Sequence, residues 1–504
     1  MLRLFAKPLQ DNRLVHLSKH LLDDLEISVF LARYFINPET YVTCDTEAIK
    51  ERNEICISLL RHNDLTAAFQ RLYDITAQIT KTSSSIDNEP MQVIRNMMGI
   101  RTFYDALQQV LQTIKVSGGL PVSFTSLSEA LAKLLNEVYP ENFDCLWNKY
   151  ACGTEKTLSL SYQINFTKEL TISAAALTGT YDRRYMKSSF IKRITGTLNQ
   201  MHVDSLLTLV PGHYSEMNQL IDPQKEATSL QRFSHSVHKM LSMQTAAIKQ
   251  QVNEKERSIA RKMSALMGEL HFALGMVKYA QAISVSSEHV CFAEILDMKE
   301  QTLFAEKMVH PVLAERVDAV PNDIAINKEK KLILLGGANR GGKTTYLRTA
   351  GAIQLLFQMG LPIPAAAAKI SPASCIVSVF SREEKTELYQ GKLDQELTDM
   401  REAVQRMDEH SMFLGNEPIS GTSPMESCLL SRESLCLLKA KRTRGIWVTH
   451  FYELFDDIPK FNRLNFGSRF TCMHTDSAND KHSFCIIPGL PEKHSRAQEV
   501  FDNI

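Results

Sequence analysis

The front half of the chain carries the hydrophobic spacing of helices. Residues 224–267 contain no glycine or proline, and their apolar positions recur at near-helical intervals. These positions are Leu230, Phe233, Val237, Leu241, Met243, Ile248, Val252, Ile259, Met263 and Leu266. An unbroken helix here would extend roughly 60 Å at about 1.5 Å per residue, whereas a turn near residues 253–256 would make an antiparallel pair. The periodicity leaves both open. Residues 14–114 are also predicted to be helix-rich, with a polar loop at 81–88.

A different pattern interrupts these helices. Polar and apolar residues alternate over residues 158–166 and partly over 170–177, which predicts a β-hairpin. A basic cluster with interleaved tyrosine and phenylalanine follows, and it consists of Arg183, Arg184, Lys187, Lys192 and Arg193. Basic side chains bind phosphates and aromatic rings stack on bases, so the cluster is a candidate for DNA contact. The alternative is an ordinary solvated helix face.

The clearest chemical signal is a phosphate-binding loop. Residues 337–344 satisfy G-x-x-x-x-G-K-[ST], after an apolar run at 331–335 that predicts a buried strand. A predicted helix at 345–359, closed by Gly360, follows the loop. In this context backbone N–H groups surround the phosphates, Lys343 reaches the terminal phosphates and Thr344 ligates Mg²⁺. The pattern therefore predicts binding of ATP or GTP. A glycine-rich turn before a helix is the alternative.

A second strand supplies candidates for hydrolysis. The apolar run at 411–415 ends in Asn416 and Glu417. A strand that ends beside the phosphate loop places the first residue near Mg²⁺, and the following carboxylate where it can polarise the attacking water. Glu417 is thus the predicted general base, and Asn416 is predicted to reach the metal through water. A further strand at 446–449 delivers His450, predicted to sense the γ-phosphate unless it is a structural histidine.

In order and wording, these segments resemble the MutS family of DNA-repair ATPases. Residues 337–345 are similar to its G-P-N-M-G-G-K-S-T loop, and residues 416–423 to its D-E-x-x-x-G-T-S segment. Residues 447–454 resemble its A-T-H-Y-x-E-L run. Upstream, residues 310–313 and 321–324 resemble the H-P-x-x and P-N-D segments that precede the loop.

The resemblance implies a multidomain α plus α/β chain. Residues 1–308 would form a helical core and lever domain, with a β-rich, clamp-like insert at about 153–195 and long helices at about 224–283. Residues 309–504 would form a P-loop, ABC-like α/β ATPase domain. The implied cofactors are ATP and Mg²⁺. The nucleotide would be bound by Gly337, Ala338, Asn339, Arg340, Gly341, Gly342, Lys343, Thr344 and Thr345.

The family resemblance also implies roles and partners. Glu417 and His450 would be catalytic, and Thr344 and Asn416 would hold Mg²⁺. The chain would form a homodimer through its ATPase domains and bind double-stranded DNA that is mismatched or branched. The sequence also departs from the family in two places. The region that corresponds to the signature loop, residues 391–396, lacks the family's serine, and the N-terminal mismatch-reading domain is not expected because the sequence starts almost directly with helical core.

Two further substitutions alter the expected chemistry. Asn416 stands where the family has the Walker B aspartate, so weaker metal binding and slow hydrolysis are expected. Ala319 and Val320 stand where an aromatic residue often stacks on adenine in the family. Adenine recognition by the usual residue is therefore not expected.

Composition narrows the class of protein. The 504 residues are enough for two or three domains, and the 57 basic and 57 acidic residues cancel, so any DNA surface must be a local patch. Ten scattered cysteines without a C-x-x-C pair are typical of reduced thiols rather than of disulfides or zinc. The absence of a long apolar run or a secretory signal indicates a cytoplasmic protein without a membrane partner.

Two functional classes follow from the sequence. The first is a MutS-type ATPase that couples ATP binding and hydrolysis to dimer closure on irregular DNA in repair or recombination. The second is a nucleotide-switched interaction protein with weak ATPase activity and a protein partner, which the neutral net charge and Asn416 favour. An SMC-type or ABC-type ATPase is disfavoured because an L-S-G-G signature is missing from the sequence.

Overall fold

A computed structural model gives the architecture of the chain. It describes residues 2–7, 9, 15–83, 90–138, 159–166, 172–181, 223–314, 319–338, 340–381, 391–476 and 483–491. The basic cluster at 183–193 and Asn339 lie outside these residues. No helix within the described ranges is both long and apolar enough to cross a membrane.

The described helices and strands have the following bounds. The helices are α1 (Leu21–Asp24), α2 (Ser28–Ala32), α3 (Thr46–Arg61), α4 (Asn63–Ser83), α5 (Pro90–Val116), α6 (Val122–Val138), α7 (Pro223–Ser286), α8 (Lys343–Met359), α9 (Lys392–Arg406), α10 (Pro424–Ala440), α11 (Glu453–Asp456) and α12 (Ile458–Arg463). The strands are β1 (His16–Leu17), β2 (Ser159–Phe166), β3 (Ile172–Tyr181), β4 (Glu294–Ile295), β5 (Leu303–Met308), β6 (Asn322–Ile326), β7 (Lys330–Gly336), β8 (Ala367–Ile370), β9 (Cys375–Phe380), β10 (Met412–Asn416), β11 (Arg444–Val448), β12 (Arg469–Thr475) and β13 (Ile486–Pro488).

The chain forms two compact units. The first consists of Met1–Leu2, Ala67–Val116 and Ser126–Met267, and the second of Arg3–Thr66, Ser117–Thr125 and Gly268–Ile504. The second unit thus includes residues on the N-terminal side of 309, because β1 pairs with β9 and both β4 and β5 pair with β8. The division into family-type domains at 1–308 and 309–504 stays a prediction.

The first unit is helical with one hairpin. Strands β2 and β3 pair antiparallel, which confirms the predicted β-hairpin. Helix α7 is continuous through residues 253–256, so the single long helix replaces the alternative of an antiparallel pair. Its Glu256 is buried and accepts hydrogen bonds from Asn96 of α5 (2.6 Å) and Thr82 of α4 (3.1 Å). These bonds join three helices through one carboxylate.

The second unit is built on a seven-stranded sheet with the order β1-β9-β10-β11-β7-β12-β13. All neighbouring strands are parallel except β12 and β13. Helix α8 follows the inner strand β7. It is buried along most of its length, because its residues are apolar on nearly every face. It ends at Gly360 in a left-handed conformation (φ 78°), as predicted, but begins at Lys343, two residues before the predicted start. A second sheet has the order β4-β8-β5-β6.

Candidate nucleotide-binding site

The loop between β7 and α8 has the backbone of an anion site. Gly337 (φ 113°) and Gly342 (φ 90°) adopt left-handed conformations that other residues rarely tolerate. Gly342 directly precedes α8, so the first N–H groups of the helix have no capping side chain from that position. Parallel α/β sheets bind ligands beyond the carboxyl ends of their strands, which is where this loop lies.

Thr475, at the end of β12, braces this loop. Its hydroxyl accepts a hydrogen bond from Ala338 N at 3.1 Å, and its side chain is 4% exposed. A Cβ atom on Gly337 would lie 2.2 Å from Thr475 Oγ1, and one on Gly341 would lie 2.7 Å from Thr475 Cγ2. Both positions therefore need glycine, because the loop backbone lies directly against β12.

The loop lysine is folded back into the loop. Lys343 Nζ donates hydrogen bonds to Gly337 O and Ala338 O, each at 2.8 Å, and the residue is 6% exposed. Burial lowers the pKa of Lys343, and the negative charge of Glu417 partly opposes this shift. The ammonium group is thus positioned by the same loop backbone that would surround phosphates.

Thr344 and Asn416 form a polar pair at the start of α8. Thr344 Oγ1 donates a hydrogen bond to Asn416 Oδ1 at 3.1 Å. Asn416 is the last residue of β10, and it pairs with Phe380 on one side and Val448 on the other. Hydroxyl and amide oxygens are ligands that Mg²⁺ accepts, directly or through water.

Glu417 and His450 form the second polar pair. His450 Nε2 donates to Glu417 Oε1 at 2.7 Å, and Glu417 N donates to Val448 O at 3.1 Å. Burial by itself raises the pKa of Glu417, but the hydrogen bond and charge of His450, with the charge of Lys343, outweigh it and leave the pKa below its usual value. Glu417 has φ 50°, a left-handed conformation that is uncommon for glutamate and frequent at functional sites.

These groups fit a nucleotide with Mg²⁺. The glycine loop and the start of α8 offer N–H donors, Lys343 offers a positive charge, and Thr344 with Asn416 offers hard oxygen ligands. The predicted residues Gly337, Ala338, Arg340, Gly341, Gly342 and Thr345 lie in the loop or in the first turn of α8. The structure therefore brings together every predicted nucleotide, metal and catalytic residue that it describes.

Glu396 is a site neighbour whose contacts the sequence did not reveal. It lies in α9 and accepts hydrogen bonds from Ser420 N (2.9 Å), Gly421 N (2.8 Å) and Ser420 Oγ (3.0 Å). The sequence marks residues 391–396 only as an altered signature loop. A lone carboxylate in a helix and a threonine at a strand end, such as Thr475, carry no motif that would predict these contacts.

Comparison with known proteins shows which proteins this site is similar to. Residues 333–493 match MutS domain V. An Endonuclease MutS2 of Ligilactobacillus salivarius is 29% identical over 218 residues, which are 42% of this chain and 28% of the relative. One of Enterococcus faecalis is 31% identical over 192 residues, 38% of this chain and 24% of the relative.

The match extends further at lower identity. An Endonuclease MutS2 of Streptococcus mutans is 23% identical over 395 residues, 77% of this chain and 46% of the relative. In all three cases the chain spans less than half the length of the relative. The matched segment includes the phosphate loop and both polar pairs, and the mixed α/β fold of the second unit agrees with it. Over the segment that carries the site, the chain is therefore similar to the MutS family.

Proposed function

We propose that this protein is an ATP-dependent DNA-binding protein of the MutS type that acts in repair or recombination and hydrolyses ATP slowly. The observation that carries the proposal is the convergence of Lys343, the pair Thr344–Asn416 and the pair Glu417–His450 at the carboxyl ends of β7, β10 and β11. This is the arrangement that P-loop ATPases need for phosphate, metal and water.

In the proposed hydrolysis, different residues of the chain have different roles. When a nucleotide binds, Lys343 would exchange its hydrogen bonds to two loop carbonyls for hydrogen bonds to phosphate oxygens. The negative charge of the phosphate oxygens makes these bonds stronger. Thr344 and Asn416 would hold Mg²⁺, which would supply positive charge to offset that of the phosphates. Glu417, kept as a carboxylate by His450, accepts a proton from the attacking water. The neutral Asn416 contributes no charge to the metal site, and for this reason turnover is slow.

A nucleotide titration of the full chain tests this proposal. Lys343→Ala should weaken ATP binding about a hundredfold, because two charge-assisted contacts of roughly 1.5 kcal/mol each are lost. Lys299→Ala, at an exposed lysine of the same unit, is the matched control and should bind like the parent. Unchanged ATP affinity in Lys343→Ala would remove the phosphate loop from the proposal.

DNA binding is the second part of the proposal. The relatives are named as endonucleases, and the proposed contact is the basic cluster at 183–193. Binding of mismatched, branched and linear duplexes should weaken steeply with salt, and joint neutralisation of Arg183, Arg184 and Lys187 should flatten that dependence. An unaltered salt slope would exclude the cluster as the DNA contact.

A second candidate function is a nucleotide-switched interaction protein with a protein partner. The neutral Asn416 and the zero net charge favour it. It would replace the first proposal if no DNA bound at low salt with ATP present. In either case we propose a homodimer formed through the ATPase domains, which sedimentation with and without ATP would detect.

A further inference from the structure

The amino ends of three neighbouring strands in the large sheet carry positive charge. Strands β11, β7 and β12 are adjacent and parallel, so their amino ends lie at one edge of the sheet. Arg442 precedes β11 by two residues, Lys330 begins β7 and Arg469 begins β12. The proposed nucleotide site lies at the opposite edge. The two edges are about 20 Å apart, because the 7 residues of β7 rise about 3.3 Å each.

These cations lie side by side across the strands. Lys330 and Arg469 are direct partners in the register of β7 and β12. Lys331, the next residue of β7, donates a hydrogen bond from Nζ to Arg442 O at 3.4 Å. Neighbouring strands are about 4.8 Å apart, so the three amino ends span about 10 Å, which is about one Debye length at 0.1 M salt. The electrostatic fields of the cations therefore add.

Two further cations extend this group. Lys328 lies in the turn before β7, and Arg463 ends α12, which is tied to β12 because Asn462 Nδ2 donates to Phe470 O at 3.0 Å. The amino-end patch consists of the exposed residues Lys328, Lys330, Arg442, Arg463 and Arg469. Among the residues that the structure describes, no carboxylate forms an ion pair with any member of this patch. The members are thus available to an anionic partner.

The half-buried Lys331 reports the charge at this edge. Burial lowers the pKa of Lys331, and the carboxylate of Glu409 opposes this shift. Three neighbouring cations, Arg442, Lys328 and Arg444, lower the pKa further. The acidic Glu409 precedes β10, which lies on the far side of β11 from β7. Positive charge therefore prevails over the amino ends of β11, β7 and β12.

We propose that the amino-end patch binds the phosphate backbone of DNA, as a contact separate from the cluster at 183–193. This inference rests on the DNA binding of the proposed function and adds a surface on the ATPase region to it. Like charges directly opposite each other, such as Lys330 and Arg469, destabilise a sheet, and bound phosphates remove that cost. Phosphate contacts release counterions and read no sequence, so the patch contributes affinity without base preference.

Fluorescence anisotropy of a labelled duplex, titrated with the full chain over a range of salt concentrations, tests the inference. The patch variant combines Lys330→Gln, Arg442→Gln and Arg469→Gln. The control variant combines Lys50→Gln, Lys278→Gln and Lys299→Gln, which remove the same charge from scattered, exposed positions of the same unit.

The two variants should differ in both slope and affinity. Each phosphate contact contributes about 0.9 to the slope of log affinity against log salt concentration. The patch variant should therefore lose about two to three from this slope and bind at least about tenfold more weakly at about 0.1 M salt. Matched and mismatched duplexes should lose affinity equally, and the control variant should bind like the parent. The urea midpoint of the patch variant should equal or exceed that of the parent, because opposed like charges are removed.

The outcomes separate the inference from the proposed function. If the patch variant keeps the slope of the parent, or if patch and control variants weaken equally, the inference is overturned and the patch faces another partner, such as an acidic protein. If the urea midpoint of the triple variant falls, the single variant Lys330→Gln decides, with an expected loss of about one from the slope. If the parent binds no DNA at low salt, the proposed DNA binding is wrong and the inference falls with it.

Discussion

Replacing Glu396 should reveal how strongly α9 supports the segment that follows Glu417. The side chain is 5% exposed and accepts three hydrogen bonds from the two residues Ser420 and Gly421. Those residues follow Glu417 by three and four positions. Glu396→Ala removes every acceptor, whereas Glu396→Gln keeps the shape of the side chain and removes only its charge.

The distribution of these bonds sets the expected magnitudes. Glu396 Oε2 accepts from both backbone N–H groups, and Oε1 accepts from the Ser420 hydroxyl. An N–H group that loses its partner costs about 1–3 kcal/mol, but both groups are only half-buried, so water replaces part of the bonding. We expect Glu396→Ala to lose about 2–4 kcal/mol of unfolding free energy. The amide of Glu396→Gln can make all three contacts, so we expect it to lose about 1 kcal/mol.

Urea unfolding monitored by tryptophan fluorescence measures this difference. Trp447 lies in β11, is 2% exposed and stacks on Phe413 at a centroid distance of 5.7 Å, so its emission reports on the second unit. The urea midpoint should fall in the order parent, Glu396→Gln, Glu396→Ala. ATP turnover should decrease in the same order because the segment after Glu417 loosens. Equal midpoints for the alanine and glutamine variants would refute the reasoning.

Three further predictions concern the metal site, the loop and the helical unit. Asn416→Asp adds a negative charge 3.1 Å from Thr344 Oγ1 and should lower the Mg²⁺ concentration needed for half-maximal turnover about tenfold. An unchanged Mg²⁺ requirement would contradict the placing of residue 416 at the metal site. Thr475→Val removes the acceptor of Ala338 N and should weaken ATP binding about fivefold, whereas Thr475→Ser keeps the hydroxyl and should bind ATP like the parent. A serine variant as weak as the valine variant would show that the hydroxyl alone does not position the loop. Burial raises the pKa of Glu256 to about 7 from an ordinary 4.5, so the folded state binds more protons than the unfolded state between these values. This shift contributes about 3 kcal/mol to the free energy of unfolding below pH 4.5, and the contribution is lost as the pH rises through 7. Melting curves followed by circular dichroism should therefore show stability falling from pH 5 to 8. The dependence of stability on pH should be weaker in Glu256→Gln.

The phosphate loop and its flanking elements could be predicted because their signal is local. A glycine pattern, an apolar strand and a helix end at Gly360 are contiguous in the sequence, and β7 and α8 follow them closely. Asn416 and Glu417 were predictable for the same reason, since they end an apolar strand.

The supporting contacts could not be predicted because they join distant parts of the chain. Ala338 and Thr475 are 137 positions apart, and no local pattern marks a threonine at a strand end as a brace. The continuity of α7 was equally undecided, because a helix and a pair of helices share one hydrophobic period. Strand β1 has only two residues, too few for an alternation to be visible.

That short strand β1 has a practical consequence for the sheet it joins. His16 and Leu17 cover the outer edge of β9, whose six residues are all buried. The neighbouring Leu25 lies so close to α8 that a Cβ atom on Gly351 would be 2.5 Å from its Cδ2 atom. A fragment that begins at residue 309 lacks β1, so the apolar edge of β9 would be exposed. Exposed sheet edges pair with strands of other molecules and cause aggregation. Residues 309–504 expressed by themselves should therefore form inclusion bodies, and a fragment that is meant to fold should also contain Arg3–Thr66.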